Sequence, residues 1–297
     1  MIIRLMDELR RQGRYSIDDL AQAMAERMHA WSPGRAEMRH HLTERQAIRL
    51  LNDDRLERAI RLNGELAADA LDGSIVLPNA RLLLSELRDC GGVKLTERGF
   101  LNRKFVMQVG GKLEWPDLDW RGICSISKAV REEEVTPLWF LHGVLKLSGL
   151  AYVRRGVLNV GKRSSELMAP KRAGTLQATL FRTAWCDFNL AGLSRSHLAE
   201  RLRRQANLAL FMIGRLADGW IESERLLRAA VVPDEEIMAA MELMPCYAFE
   251  GCILRPLRWF GLIEMRSLPT EIEWKSRREV RKTSLYDRFL AFDPGPA

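Results

Sequence analysis

Three times along this chain of 297 residues an apolar, helix-length run ends in glycine and passes into a short alternating segment. No other feature limits the possible folds as much, because a recurring local pattern implies a recurring supersecondary unit. The first copy runs from Arg81 to Gly91-Gly92 and on through Val93-Lys94-Leu95-Thr96-Glu97-Arg98-Gly99-Phe100-Leu101-Asn102. The second, 57 positions on, runs from Leu138 to Gly149 and through Leu150-Ala151-Tyr152-Val153-Arg154-Arg155-Gly156-Val157-Leu158-Asn159. In that register Leu84 matches Leu141, Leu87 matches Val144, Gly92 matches Gly149 and Gly99 matches Gly156. The third copy, Cys252 to Gly261-Leu262-Ile263-Glu264-Met265-Arg266, then diverges. Each copy predicts a helix, a left-handed glycine cap and a strand. In the first two a second glycine predicts a turn with a basic stretch after it.

A helix, a short strand, a turn and a return strand form the C-terminal half of a winged helix-turn-helix unit. Leu95-Thr96-Glu97-Arg98-Gly99 resembles the wing-side Leu-Thr-x-x-Gly of bacterial winged-helix regulators. Gly149-Leu150-Ala151-Tyr152 and Gly261-Leu262-Ile263-Glu264 resemble the Gly-Leu-Ile that joins their third helix to the first wing strand. Residues 87–106 are also similar to uncharacterised bacterial proteins in which Gly-Gly-x-Lys-Leu-Thr precedes an Arg-Lys-Phe-Val helix, a resemblance that brings no assigned activity.

The expected fold is mainly α with small β wings: tandem winged-helix-like units after a helical N-terminal region. The boundaries read as 1–73 (helical region), 74–114 (first unit), 115–175 (second unit) and 176–297 (helical connector, third unit and basic C-terminal segment). Apolar residues at three- and four-residue intervals (Ile48, Leu51, Leu56, Ile60) support helices in the first region. Thr43 with Gln46 forms a capping-box pattern, and Trp31-Ser32-Pro33-Gly34 reads as a break. Ile126 to Val130 reads as the second helix of the second unit, with Pro137 opening its third. Trp220 to Ser223 reads as a strand and a helix cap, and Met241 to Phe260 as a helix broken at Pro245 and bent at Pro256.

The chain is 47% hydrophobic and 29% charged, which excludes disorder and lets it bury real cores. No run approaches the roughly 18 apolar residues of a membrane span. Asp7, Glu8, Arg10 and Arg11 interrupt the N-terminus where a signal peptide would be apolar. The expected location is therefore the cytoplasm, with no membrane partner.

Little points to catalysis. Five widely spaced cysteines (Cys90, Cys124, Cys186, Cys246, Cys252) and five histidines show neither disulfide nor zinc spacing, so no metal is expected. Phosphate-binding, dinucleotide and nucleophile-elbow motifs are missing, so no cofactor is expected either. Asp53-Asp54 and Glu132-Glu133-Glu134 read as solvated helix faces, the tryptophans as core, and Met238, Met241 and Met244 as one apolar helix face.

The formal net charge of +7 is uneven. Residues 1–150 hold 23 basic and 22 acidic side chains, and residues 151–297 hold 23 and 17. The excess falls where wings are expected: Arg154, Arg155, Lys162, Arg163, Lys171 and Arg172 after the second helix, and Lys275, Arg277, Arg278, Arg281 and Lys282 after the third. Such clusters suit phosphate contacts, so the leading reading is a non-catalytic nucleic-acid-binding protein, a regulator or mobile-element or defence component, with duplex DNA preferred over RNA. Against base reading stands the helix after Pro137, apolar on almost every face. That helix supports the alternative of a scaffold whose units pack against a protein partner or a second copy, and an enzyme with a site built from scattered residues is the third reading. On the leading reading, changing Lys275, Arg277, Arg278 and Arg281 together weakens a strongly salt-dependent binding of DNA or RNA, and full affinity in that variant removes the C-terminal site.

Overall fold

The computed structural model describes residues 31–240, 244–269 and 277–296, so Lys275, Trp274 and Met241 lie outside the described residues. Helix α1 (residues 31–41) includes Pro33 and Gly34, where the sequence reads as a break. Gly34 is needed there because a Cβ would lie 2.2 Å from the carbonyl oxygen of Arg228. Helix α2 (Glu44–Leu51) starts on the expected capping box, with Gln46 N–H donating to Thr43 Oγ1 and Thr43 N–H to Gln46 Oε1.

From Val76 the order of elements is helix, strand, three helices, hairpin. Helix α3 (Val76–Asp89) leads to β2 (Val93–Lys94), after β1 (Ile60–Leu62) upstream. Helices α4 (Arg103–Gly110), α5 (Trp120–Ile126) and α6 (Thr136–Leu147) follow, then the hairpin β3 (Ala151–Arg154) and β4 (Val157–Val160). The three strands form one antiparallel sheet in the order β2-β4-β3. The first two copies of the repeat therefore share a sheet: Val93 faces Leu158, and Lys94 faces Val157. Ile126 to Val130, expected as a helix, contributes only its first residue to α5, and Pro137 stands in the first turn of α6 as expected.

The glycines do what the repeat demands. Gly92, Gly149 and Gly261, at the ends of the three helices, all have positive φ (99°, 70° and 75°). Arg155 (φ 50°) and Gly156 (φ 73°) form the two-residue turn between β3 and β4, where both central residues need positive φ.

The same element order recurs downstream. Helix α7 (Ser164–Leu167) and α8 (Ala173–Arg182), which runs into a π-turn at Thr183–Asp187, join the two parts. Then come α9 (Ala199–Arg203), α10 (Ala206–Leu216), β5 (Ile221–Glu222), α11 (Ser223–Ala230), α12 (Glu235–Ala239) and α13 (Met244–Phe249). A π-turn at Glu250–Leu254 carries α13 into α14 (Arg255–Trp259), so this region widens ahead of Pro256, whose ring cannot fit a regular helical turn. Strands β6 (Ile263–Leu268) and β7 (Arg277–Lys282) complete a second sheet, again in the order first, third, second: β5-β7-β6. Met238 and Met244 sit on separate helices, so they do not form the single apolar face expected of them. Helix α15 (Ser284–Phe289) returns the chain so that β8 (Leu290–Phe292) pairs with β1.

One hydrophobic core runs through both parts. Its centre is aromatic: Phe140 of α6 lies 5.0 Å from Trp259 of α14, 5.3 Å from Phe188 and 6.3 Å from Trp115, ring centre to ring centre, and Trp115 lies 5.0 Å from Trp259. Polar bonds tie the same seam. Ile75 N–H donates to the Trp259 carbonyl at 2.9 Å, and buried Gln177 donates to the Phe260 carbonyl at 3.0 Å while accepting from Ser74 at 2.9 Å. No described helix is long and apolar enough to cross a membrane.

Truncating an aromatic side chain at this centre removes contacts from both parts at once. Phe140→Ala is expected to lower stability by about 3–5 kcal/mol in urea unfolding, with tryptophan fluorescence and far-UV dichroism changing in a single shared transition. Two separate transitions in the parent protein would contradict a common core.

Candidate nucleic-acid interface

In both parts the helix before the hairpin is buried. On α6, Leu138, Phe140, Leu141, His142, Val144 and Leu145 are all buried, and only the end residues Thr136, Lys146 and Leu147 stand exposed. In the second part Ile253, Leu254, Leu257 and Trp259 are buried, Arg258 pairs with Asp117 at 3.0 Å, and Arg255 is held by the Leu193 carbonyl at 3.4 Å, its pKa lowered by burial. These helices have no row of free polar side chains for base edges. Candidate contacts must come from the sheets and from the turns that follow them.

The two sheets differ in charge. Between residues 263 and 282 six basic side chains stand against four acidic ones. Those in the described residues neutralise one another across the strands: Arg281 with Glu264 at 2.6 Å, Arg266 with Glu279 at 2.6 Å and Arg277 with Glu222 at 2.5 Å. Trp220 packs under Arg266 and Arg281, with guanidinium carbons 4.3 and 4.8 Å from its ring centre. Lys282, nearly buried, is 2.8 Å from Asp218 and 2.9 Å from Asp287; burial opposes its charge, but the two carboxylates win and raise its pKa. Arg278 reaches inward to Glu250 at 3.1 Å. Glu250 is buried and also accepts from Ser223 Oγ at 2.6 Å, beside the Cys246 thiol that burial pushes up to about 12. Arg277, Arg278, Arg281 and Lys282, expected as phosphate contacts, are thus all engaged by carboxylates of the fold.

The first sheet is different. Between residues 151 and 172 six basic side chains stand against one acidic, Glu166, which takes Arg172 at 3.1 Å. Arg154, Arg155, Lys162, Arg163 and Lys171 are exposed, and among the described residues none of them forms an ion pair. The register gathers them with a residue that linear reading of the charge pattern missed. Lys94 of β2 and Arg154 of β3 both flank Val157 of β4, so they project from the same face of the sheet. Tyr152, 44% exposed, lies on that face too, two residues from Arg154. Arg154 and Arg155 mark the tip of the hairpin; Lys162 and Arg163 lie at its base, where Gly161 N–H donates to the Leu150 carbonyl at 2.7 Å.

Two acidic groups read as solvated are structural. Asp53 is 2% exposed and accepts from the backbone N–H groups of Glu57, Arg58 and Ile60, at 3.0, 3.2 and 2.7 Å. Glu132 is 1% exposed, accepts from Leu101 N–H at 2.5 Å and lies 2.7 Å from Nδ1 of buried His142. Burial also pushes the Cys252 thiol up to about 12, which leaves it a poor nucleophile.

The family match to known proteins falls on this first part. A family described as the Y4jL N-terminal domain matches residues 72–174, which enclose α3 through α7 and the first sheet. The uncharacterized protein y4jL of Sinorhizobium fredii is 30% identical over 145 residues, 48% of this chain and 64% of that protein. The chain thus spans a little under two thirds of the length of the relative it matches. No solved structure matches.

The ion pairs of the second sheet make a stability prediction. Arg278→Met leaves buried Glu250 with only the Ser223 hydroxyl and the Cys246 thiol, both uncharged, and is expected to cost about 1–2 kcal/mol in urea unfolding. Arg281→Met, which breaks an exposed pair, is expected to cost less than about 1 kcal/mol. Equal costs would contradict the inward role of Arg278.

Proposed function

We propose that the chain is a non-catalytic nucleic-acid-binding protein that holds phosphate backbones with the hairpin and following turns of its first sheet. One observation carries this reading: two sheets of the same strand order differ in that the second neutralises its own arginines, while the first leaves Lys94, Arg154, Arg155, Lys162, Arg163 and Lys171 exposed and unpaired among the described residues. An arginine already paired with a carboxylate has part of its donor set and its charge committed, so it offers a phosphate less. An exposed unpaired one retains the whole guanidinium fork.

We further read each part as a winged-helix unit, two in all. The support is topological: helix, strand, three helices (α13 and α14 counted as one through their π-turn) and a hairpin, with the strands ordered first, third, second. The last helix before each hairpin, at the position of the one that such proteins place in the major groove, is turned inward. On this reading the protein grips the backbone and reads little sequence. Tip and base of the hairpin are roughly 15 Å apart along the strands, far enough for one cluster to stand on each side of a groove about 12 Å wide. Duplex DNA is the expected form, and Tyr152 beside Arg154 also offers a stacking surface to an unpaired base.

Fluorescence anisotropy with labelled duplex DNA, single-stranded DNA and duplex RNA of mixed sequence tests this. Binding to duplex DNA is expected to fall steeply with salt. A variant carrying Arg154→Gln, Arg155→Gln, Lys162→Gln and Arg163→Gln is expected to bind at least tenfold more weakly, with its log–log salt slope shallower by about 3 to 4. Arg277→Gln with Arg281→Gln is expected to stay within twofold of the parent. Unchanged affinity in the hairpin variant would contradict the reading.

A further inference from the structure

A cleft of about 490 Å³ opens on the far side of the connector, walled by Leu51, Trp185, Phe188, Leu190, Arg203 and Asn207. Its floor is the π-turn Thr183–Asp187, an irregularity that places Trp185 and Cys186 where a regular helix would not. Asn207 fixes this wall: it accepts from Trp185 Nε1 at 3.0 Å and donates to the carbonyls of Leu50 and Asp53, at 3.0 and 2.9 Å.

The unexplained group here is Arg203. Its guanidinium lies 4.2 Å from the Trp185 ring centre, and Nη2 donates to the Trp185 carbonyl at 2.5 Å. Nη1 is cut off from water and has no hydrogen-bond partner, and among the described residues no carboxylate pairs with this arginine. Burial, opposed only weakly by the neighbouring Cys252 and Cys186 thiols, lowers its pKa to about 10, so it is charged at neutral pH. The neighbouring Asp187 is taken by Arg55 at 2.8 Å, and Asp54, Glu200 and Arg204 stand at the exposed mouth. A sequestered cation without a counter-ion is costly, and it is maintained where something supplies the missing charge.

We propose that this cleft is a binding site for a small aromatic carboxylate, whose carboxyl group meets the Arg203 guanidinium after a small side-chain movement opens Nη1 to the cleft, and whose ring lies among Trp185, Phe188 and Leu51. Arg203 in the wall, with Asp54 and Glu200 outnumbering Arg204 at the mouth, suits a monoanion. Asp54 and Glu200 at the mouth disfavour a phosphate dianion, and the apolar and aromatic walls favour a flat ring over a sugar. The site is separate from the basic hairpin, so it stands or falls independently of nucleic-acid binding.

Calorimetric titration of the full chain with 2-naphthoate, neutral 2-naphthamide and AMP tests the assignment. Saturable 2-naphthoate binding is expected, at least tenfold tighter than that of 2-naphthamide or AMP. Arg203→Met, checked for folding by far-UV dichroism, is expected to lose at least tenfold in 2-naphthoate affinity. Asn189→Trp, a substitution at an exposed position on the cleft wall that keeps the arginine, is expected to lose as much by blocking entry. The proposal is overturned by no saturation with 2-naphthoate up to millimolar concentration, by equal or tighter binding of the amide or of AMP, or by unchanged affinity in both variants.

Discussion

The packing of Phe140 against Trp259, with Trp115 and Phe188 closing round them, is the contact on which the rest of this structure depends. It joins the helices that precede the two hairpins, so those helices form the centre of the core. An aromatic pair adds about 0.5–1.5 kcal/mol beyond the area it buries, and four rings linked through Phe140 make separate movement of the two parts costly. The hydrogen bonds of Ile75 and Gln177 to the end of α14 point the same way, since they fix the first part to the last residues of the buried helix.

With the helices committed to the core, the surface chemistry falls to the sheets, and there the chain uses arginine in two ways. In the second sheet each strand supplies carboxylates opposite the guanidinium groups, and Trp220 covers two of them. The net charge of such a face is small, however many arginines it contains. In the first sheet one acid stands among six bases, so mutual repulsion persists until an external anion relieves it. Counting lysines and arginines along the sequence treats these two stretches alike; the register of the strands separates them.

The local code was legible in the sequence and the pairing was not. Glycine caps, the Thr43 capping box, Pro137 in a first turn and the strand at Ile221-Glu222 follow from short-range sterics and hydrogen bonding, and the structure has each of them. The three repeats also exist as helix, glycine and strand. A helix leading to a first strand carries the same local pattern as a helix leading to a hairpin, so the repeat does not reveal that Val93-Lys94 completes the sheet of Val157 to Val160. Lys94 escaped notice as a charge partner of Arg154 for this reason, being 60 residues away in sequence. Asp53 and Glu132 were misread because a polar neighbourhood in sequence says nothing about backbone donors that folding brings to a carboxylate. Arg203 gives no signal in the sequence for a related reason: Arg201 pairs with Asp234 and Glu236, while Arg203, two residues on, turns inward to Trp185.

The central claim is that the buried helices take no part in binding and that the first hairpin carries it. Amide hydrogen exchange of the full chain, with and without saturating duplex DNA, tests this most directly. The account predicts added protection over residues 151–163 and little change over 136–147, 255–259 and 277–282. Protection concentrated on residues 136–147 or 255–259, with the hairpin unaffected, would mean that a buried helix leaves the core to meet DNA, and would contradict the account.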